Sequence, residues 1–268
     1  MKIVVCIKQV PDTADIKWTE NNTMIREGVE SILNPFDEYG VETAIRLKES
    51  IGSDVTITVM TMGPPQAKDA LKKSLAMGCD DALLVSDKKF AAADTWATAK
   101  TVSQAIKDHV KDYDLIICGQ YAIDGDTGQT GPSVADSLDI PQVTYVKEIV
   151  EYKKENNSLV VKKAVEDGMQ TVEMQLPGLL CMLKCDYSPR MPNIKGVMKA
   201  NRAQIPTVGL ADLNLEVDQV GLKGSPTFVA KSYRQPPRTQ GEVIDQGDTK
   251  ANVNLLIEKL RDKKVLVS

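Results

Sequence analysis

The chain has 268 residues, 42% of them apolar and 26% charged, with a formal net charge of −4. That length supports a full globular core, and the lack of a basic surplus excludes a general nucleic-acid binder, which must release counterions from phosphates. No apolar run approaches the roughly 20 residues of a membrane span, and "IVVCI" (3–7) is too short for a signal-peptide core, so we expect a cytoplasmic protein that opens on a buried strand.

From the N-terminus to about Val146, short apolar runs alternate with longer helical patterns. The predicted strands are 3–7, 55–61, 82–86, 115–118 and 143–146. They are apolar almost throughout, as parallel strands covered on both faces should be. In "NPFDEYGVETAIRLKE" (34–49), Asn34 stands at a helix N-cap, Pro35 at the first helical position and Asp37 in the first turn. A second helix, "PPQAKDALKKSLAMG", closes at Gly78. A third spans "AAADTWATAKTVSQAIKDHV" (91–110), and a fourth begins near Pro132. Repeated strand–helix units predict a doubly wound, mainly parallel α/β fold. Ligands bind such sheets at the carboxyl ends of the strands, which sets Cys6–Pro11, Met62–Gly63 and Gly119–Thr130 on one rim.

After residue 147 the pattern changes. Polar turns at 155–158 and 166–168 separate strand-like runs as far as "LPGLLCML", which predicts an antiparallel extension of the sheet. From Gly221 the chain is rich in Pro, Gly and charge until a helix at about 252–263, with Leu255, Leu256 and Leu260 on one face. That face is either packed back on the core or offered to a partner.

The loop "CGQYAIDGDTGQTGP" (118–132) is not core-filling. Its glycines at 119, 125, 128 and 131 allow sharp turns and close approach to a ligand. The helix that follows turns free N–H groups outward at the positive end of its dipole, so phosphate can be held without lysine. Asp124 or Asp126 can then accept from ribose hydroxyls. The plainer alternative is a turn with capping residues.

Five cysteines read mainly as small buried hydrophobes of a reduced compartment. Cys181 and Cys185 form C-x3-C, but with one histidine and no second cysteine pair no metal site is expected. No catalytic triad or P-loop is present, and no side chain stands out as an acid–base catalyst.

Taken together, "NPFDEYGVETAIRLKE", "AIDGDTGQTGP" and "SPRMPNIKGVMKA" resemble the β subunit of electron-transfer flavoproteins, over essentially the whole chain. The resemblance implies a Rossmann-like adenine-nucleotide-binding domain over 1–220. It also implies an arm over 221–268 that embraces a flavin-carrying α subunit in a heterodimer. Mapped onto this chain, the family's cofactor residues are Cys6, Asn34, Pro35, Phe36, Asp37 and Met62, then Gly119, Gln120, Ala122, Asp124 and Gly125, and last Asp126, Thr127, Gly128, Gln129 and Thr130.

Two branches of that family differ in the cofactor. Simple carriers hold a structural AMP and read like A-I-D-D-D-C-N-Q-T-G. Electron-bifurcating members hold FAD, oxidise NADH there, and read like A-I-D-G-D-T-x-Q-x-G-P. "AIDGDTGQTGP" resembles the second, as does "LLVSDKKFAAADTWATA". Gly125 and Gly128 remove bulk, and Gly125 removes a negative charge, where a longer anionic dinucleotide must enter. The resemblance then implies hydride transfer from NAD(H), with one electron passing to ferredoxin and the other through the α-subunit FAD to a flavin-dependent dehydrogenase, such as an acyl-CoA dehydrogenase. The flavin carries this chemistry, not a catalytic side chain. In "SPRMPNIKGVMKA" the resemblance makes Ile194 the residue inserted into that partner, flanked by Arg190, Lys195 and Lys199; the residues alone read as a solvated basic loop. The competing readings are a non-bifurcating carrier with AMP and a universal-stress-type nucleotide-binding protein, in which the C-terminal segment has no role.

Overall fold

The computed structural model describes residues 1–12, 17–18, 24–25, 31–230 and 241–266. It falls into two compact units, 1–231 and 232–268.

In the first unit, β1 (Lys2–Cys6), β6 (Thr56–Met62), β7 (Asp81–Val85) and β8 (Leu115–Gly119) are the predicted parallel strands. With β9 (Gln142–Lys153), β10 (Ser158–Val165), β11 (Gly168–Gln175), β12 (Gly178–Met182) and β13 (Thr207–Val208) they form one sheet, ordered β11-β10-β9-β12-β8-β1-β6-β7-β13. Four short strands, β2 (Gln9–Pro11) paired with β5 (Ser31–Leu33) and β3 (Lys17–Trp18) paired with β4 (Met24–Ile25), lie outside this sheet. Successive residues of a strand face opposite ways. Ile3 and Val5 therefore join the core beneath α1 (Pro35–Ile51) and α2 (Lys68–Met77), while Val4 joins the core beneath α3 (Thr95–Ala105) and α4 (Thr130–Leu138). Ile57 and Ile117 are wholly buried and stabilise the fold by roughly 2 kcal/mol each.

The chain runs from β1 through β6 to β7, then returns to place β8 on the other side of β1. The switch point therefore lies between Cys6 and Gly119, at the carboxyl ends of β1 and β8. This is the crevice that a doubly wound sheet offers to a ligand.

The extension differs in part from expectation. β9, β10 and β11 pair antiparallel, but β12 inserts between β8 and β9 and runs parallel to both. All five residues of β12 are buried. An unbroken apolar run suits an interior strand covered on both faces, not a half-solvated hairpin.

Residues 221–227 belong to the first unit, where Thr227 Oγ1 and N–H both bond Asp94 (2.7 and 3.0 Å) at the N-cap of α3. The described part of the second unit carries α6 (Thr249–Asp262), capped by Asp248 on the Ala251 N–H at 2.9 Å. Within it Lys259 pairs with Glu242 at 2.8 Å, and no residue of α6 is buried. Of the segment 221–268 expected to form an arm, 231–240, 267 and 268 lie outside the described residues.

Candidate functional site

The crevice is built on α1. Asn34 stands at its N-cap position, but its side chain does not cap the helix. Its Nδ2 donates to Tyr121 O (3.0 Å), and its Oδ1 accepts from the Ile123 N–H (3.2 Å). The buried amide thus pins the first half of the glycine-rich loop. Phe36 adds an edge-on ring contact to Tyr121, with centroids 4.5 Å apart.

Asp37 closes the floor. Its Oδ2 accepts from the Lys8 N–H at 2.7 Å and its Oδ1 from the Gly119 N–H at 3.0 Å. One carboxyl therefore joins the chain just beyond β1 to the end of β8 across the switch point. Burial pushes its pKa up to about 7, against the opposing pull of these two N–H groups, Asn34 and the Lys8 charge. The Lys8 ammonium itself turns to Asp124 and bonds both its carboxylate oxygens at 2.8 Å. Sequence reasoning set Lys8 on the rim within Cys6–Pro11 but gave it no role of its own; its signal is a cation placed directly after the first strand.

Gln120 is buried, and its Oε1 accepts from the Tyr145 N–H at 2.6 Å. Tyr145 sits at φ 58° inside β9, so this bond supports a strained turn of the strand beside the crevice. Beyond Tyr121 the loop folds over Ala122, whose carbonyl accepts from the Asp126 N–H at 2.8 Å. Asp124, Gly125, Asp126, Thr127 and Gln129 are exposed along its tip. Gly128 takes φ 63°, turning the chain into α4. The helix opens at Thr130, two residues ahead of the expected Pro132, and its first bond is from the Ser133 N–H to Gln129 O at 3.0 Å. The N–H groups of Thr130 and Gly131 consequently have no partner within the helix. Thr95 at the start of α3 bonds Gln129 Oε1 at 2.9 Å, which sets two helix N-termini side by side.

Cys6 and Met62 end their strands, both half-buried, and Pro35 is half-buried at the first turn of α1. Cys6, Cys118 and Cys181 stand opposite one another on β1, β8 and β12. Burial pushes the Cys181 thiol up to about 12. Among the described residues no group of three or more His, Cys, Asp or Glu side chains is placed to hold a metal ion.

The expected partner segment lies apart from the crevice, on α5 (Ile194–Arg202), which packs on α2 through buried Ala200. Asn193 caps it, accepting from the Gly196 N–H at 2.8 Å. Ile194 is 81% and Met191 86% exposed, with Met198 and Val197 beside them. Lys195 and Lys199 are also exposed. Arg190 serves differently: its guanidinium bonds Glu42 (2.8 and 3.2 Å) and Glu49 (2.6 and 3.0 Å) of α1. It anchors the segment to the helix that also carries Asp37. Burial pushes the Glu42 carboxyl up, but hydrogen bonds from Arg190 and Arg46 outweigh it and hold the group below its usual value. Glu42 and Glu49 had no sequence signal beyond ordinary surface charge.

The site thus combines a helix start at Thr130, a Lys8–Asp124 ion pair, exposed Asp126 and a floor closed by Asp37. The fold and site define a doubly wound α/β protein with a loop-lined crevice at its switch point. Residues 21–213 match the family model described as the electron transfer flavoprotein domain. The chain belongs to the electron transfer flavoprotein family. It is 44% identical over 268 residues to the electron transfer flavoprotein subunit beta of Thermoanaerobacterium thermosaccharolyticum, covering 99% of this chain and 100% of that one. It is 43% identical over 268 residues to the caffeyl-CoA reductase–Etf complex subunit CarD of Acetobacterium woodii, covering 99% and 100%. Against the protein FixA of Azotobacter vinelandii it is 41% identical over 254 residues, covering 93% and 90%. Among the described residues no helix is long and apolar enough to cross a membrane.

Proposed function

We propose that this chain is the β subunit of a heterodimeric, electron-bifurcating flavoprotein complex, acting in the cytoplasm. In this reading the crevice holds FAD and receives hydride from NADH. Electrons leave to a low-potential acceptor such as ferredoxin and, through an α subunit, to a flavin-dependent dehydrogenase. Similarity to a relative named as part of a caffeyl-CoA reductase–Etf complex supports the assignment to a reductase assembly.

A bound flavin supplies the redox chemistry; the chain's residues bind and orient it. The N–H groups of Thr130 and Gly131 would donate to phosphate oxygens, Lys8 would add its charge beside them, and Asp124 or Asp126 would accept from ribose. Asn34 and Phe36 keep the loop in register for this. The part of segment 221–268 beyond Thr227 embraces the α subunit, and Ile194, presented by the Arg190 anchor, enters the dehydrogenase.

The observation that carries the choice of FAD over AMP is Gly125. It sits at the exposed tip of the loop, and a Cβ there would meet no atom within 4 Å. The space that a carboxylate fills in the simple-carrier pattern is open here, so the loop carries one negative charge fewer between Asp124 and Asp126. The test is the cofactor content of the co-expressed αβ complex after denaturation and chromatography. Two flavins per heterodimer without AMP support bifurcation; one flavin with one AMP makes the chain the structural half of a simple carrier.

A further inference from the structure

We infer that Asp37 is a positioning residue of the crevice that takes up a proton when an anionic nucleotide enters. The inference rests on the nucleotide reading above and goes beyond it by assigning a charge-compensating role to a buried group.

The geometry carries the argument. Asp37 is 5% exposed and lies exactly where β1 and β8 diverge, with one carboxylate oxygen on the N–H of each wall. Both bonds come from neutral donors. The cation acting on it is Lys8, whose ammonium is committed to Asp124. From β1, β8 and β12 the Cys6, Cys118 and Cys181 thiols surround it; the Cys118 thiol is held neutral by its hydrogen bond with Cys6 and by burial, and the Cys181 thiol by burial, with the Asp37 charge adding to both. On its own helix Glu38 is ion-paired to Lys73 of α2. The carboxylate is therefore balanced between the cost of burial and the bonds from two backbone N–H groups and the Asn34 amide, and its titration falls close to neutrality.

A pyrophosphate arriving above this floor changes two terms with the same sign. It adds negative charge in a poorly screened site, and it draws the Lys8 ammonium toward itself. Both favour the protonated carboxyl. Such a proton offsets part of the incoming charge and keeps the two walls bridged.

The experiment is calorimetric titration of FAD into the full chain complexed with its α subunit and freed of β-site nucleotide, in buffers of different ionisation enthalpy. The pyrophosphate of FAD has no proton to gain near neutrality, so uptake reports on protein. The expected result is on the order of half a proton per FAD near pH 7.5, for a rise of about one in the carboxyl pKa. Asp37→Asn should abolish it. Binding without uptake, or uptake unchanged in Asp37→Asn, overturns the inference alone. Failure of FAD to bind overturns the nucleotide reading as well. Should Asp37→Asn not fold, infrared difference spectra of the unaltered complex decide: a protonated-carboxyl carbonyl band appearing with FAD supports the inference, and its absence rejects it.

Discussion

Asp37 and Gly119 are complementary at the atomic level: the carboxylate that accepts the Gly119 N–H at 3.0 Å also fills the space a Cβ on residue 119 would need. Backbone atoms of Phe36 and Asp37 crowd the same point at 2.9 Å. Neither side can give way, because the first is the start of a buried helix and the second the end of a central strand.

Gly119→Ala should therefore destabilise the chain by about 2–3 kcal/mol through overpacking and weaken nucleotide binding with it. Urea denaturation of the isolated chain measures the first effect. A loss below about 0.5 kcal/mol would show that the α1–β8 junction is looser than described.

Gly125→Asp separates ligand effects from folding. The added side chain enters open space at an ordinary backbone conformation, so stability should hold within about 0.5 kcal/mol. FAD affinity should fall about tenfold, equivalent to about 1.4 kcal/mol of like-charge repulsion. Unchanged FAD affinity would remove Gly125 as a determinant of the cofactor.

The two buried carboxyls of α1 should tilt the pH–stability curve in opposite directions. Glu42 is held below its usual value, so its contribution is present above the ordinary carboxylate range and is lost as the pH falls through its depressed pKa. Asp37 is raised to about 7, so its contribution is full at low pH and is lost as the pH rises from about 4 through 7. Arg190→Ala should cost about 2 kcal/mol at neutral pH, discounted for the partly exposed guanidinium, and should flatten the acid limb only. Thermal denaturation from pH 2 to 8 checks both slopes; an acid limb unaltered in Arg190→Ala would contradict the anchoring role.

Ile194→Asp changes a side chain that is 81% exposed, so the melting temperature should not move. Electron transfer to a partner dehydrogenase should drop about thirtyfold, as for an interface hot spot of about 2 kcal/mol. Normal transfer rates would put the partner contact elsewhere.

The parallel strands were legible because each is a short, unbroken apolar run between helical patterns. β12 carried the same signature, but its position after two polar-turned strands suggested a hairpin. Sequence distance hid its insertion beside β8. Asn34 looked like a helix cap because Asn-Pro is a common helix entry; tertiary contact with Tyr121 and Ile123 claimed its amide instead. Lys8 with Asp124, and Arg190 with Glu42, are 116 and 148 residues apart. No local pattern pairs charges across such separations. The glycine-rich loop stood out because its composition suits no core, and the resemblance supplied residue assignments that spacing alone left open.

All five cysteines are free, and Cys6 alone among them is not buried. Its thiol shares a hydrogen bond with the buried Cys118 thiol and packs against the core beneath α3 and α4. Cysteines introduced on exposed positions for spectroscopic labels should therefore react well ahead of the native five, with no native residue removed.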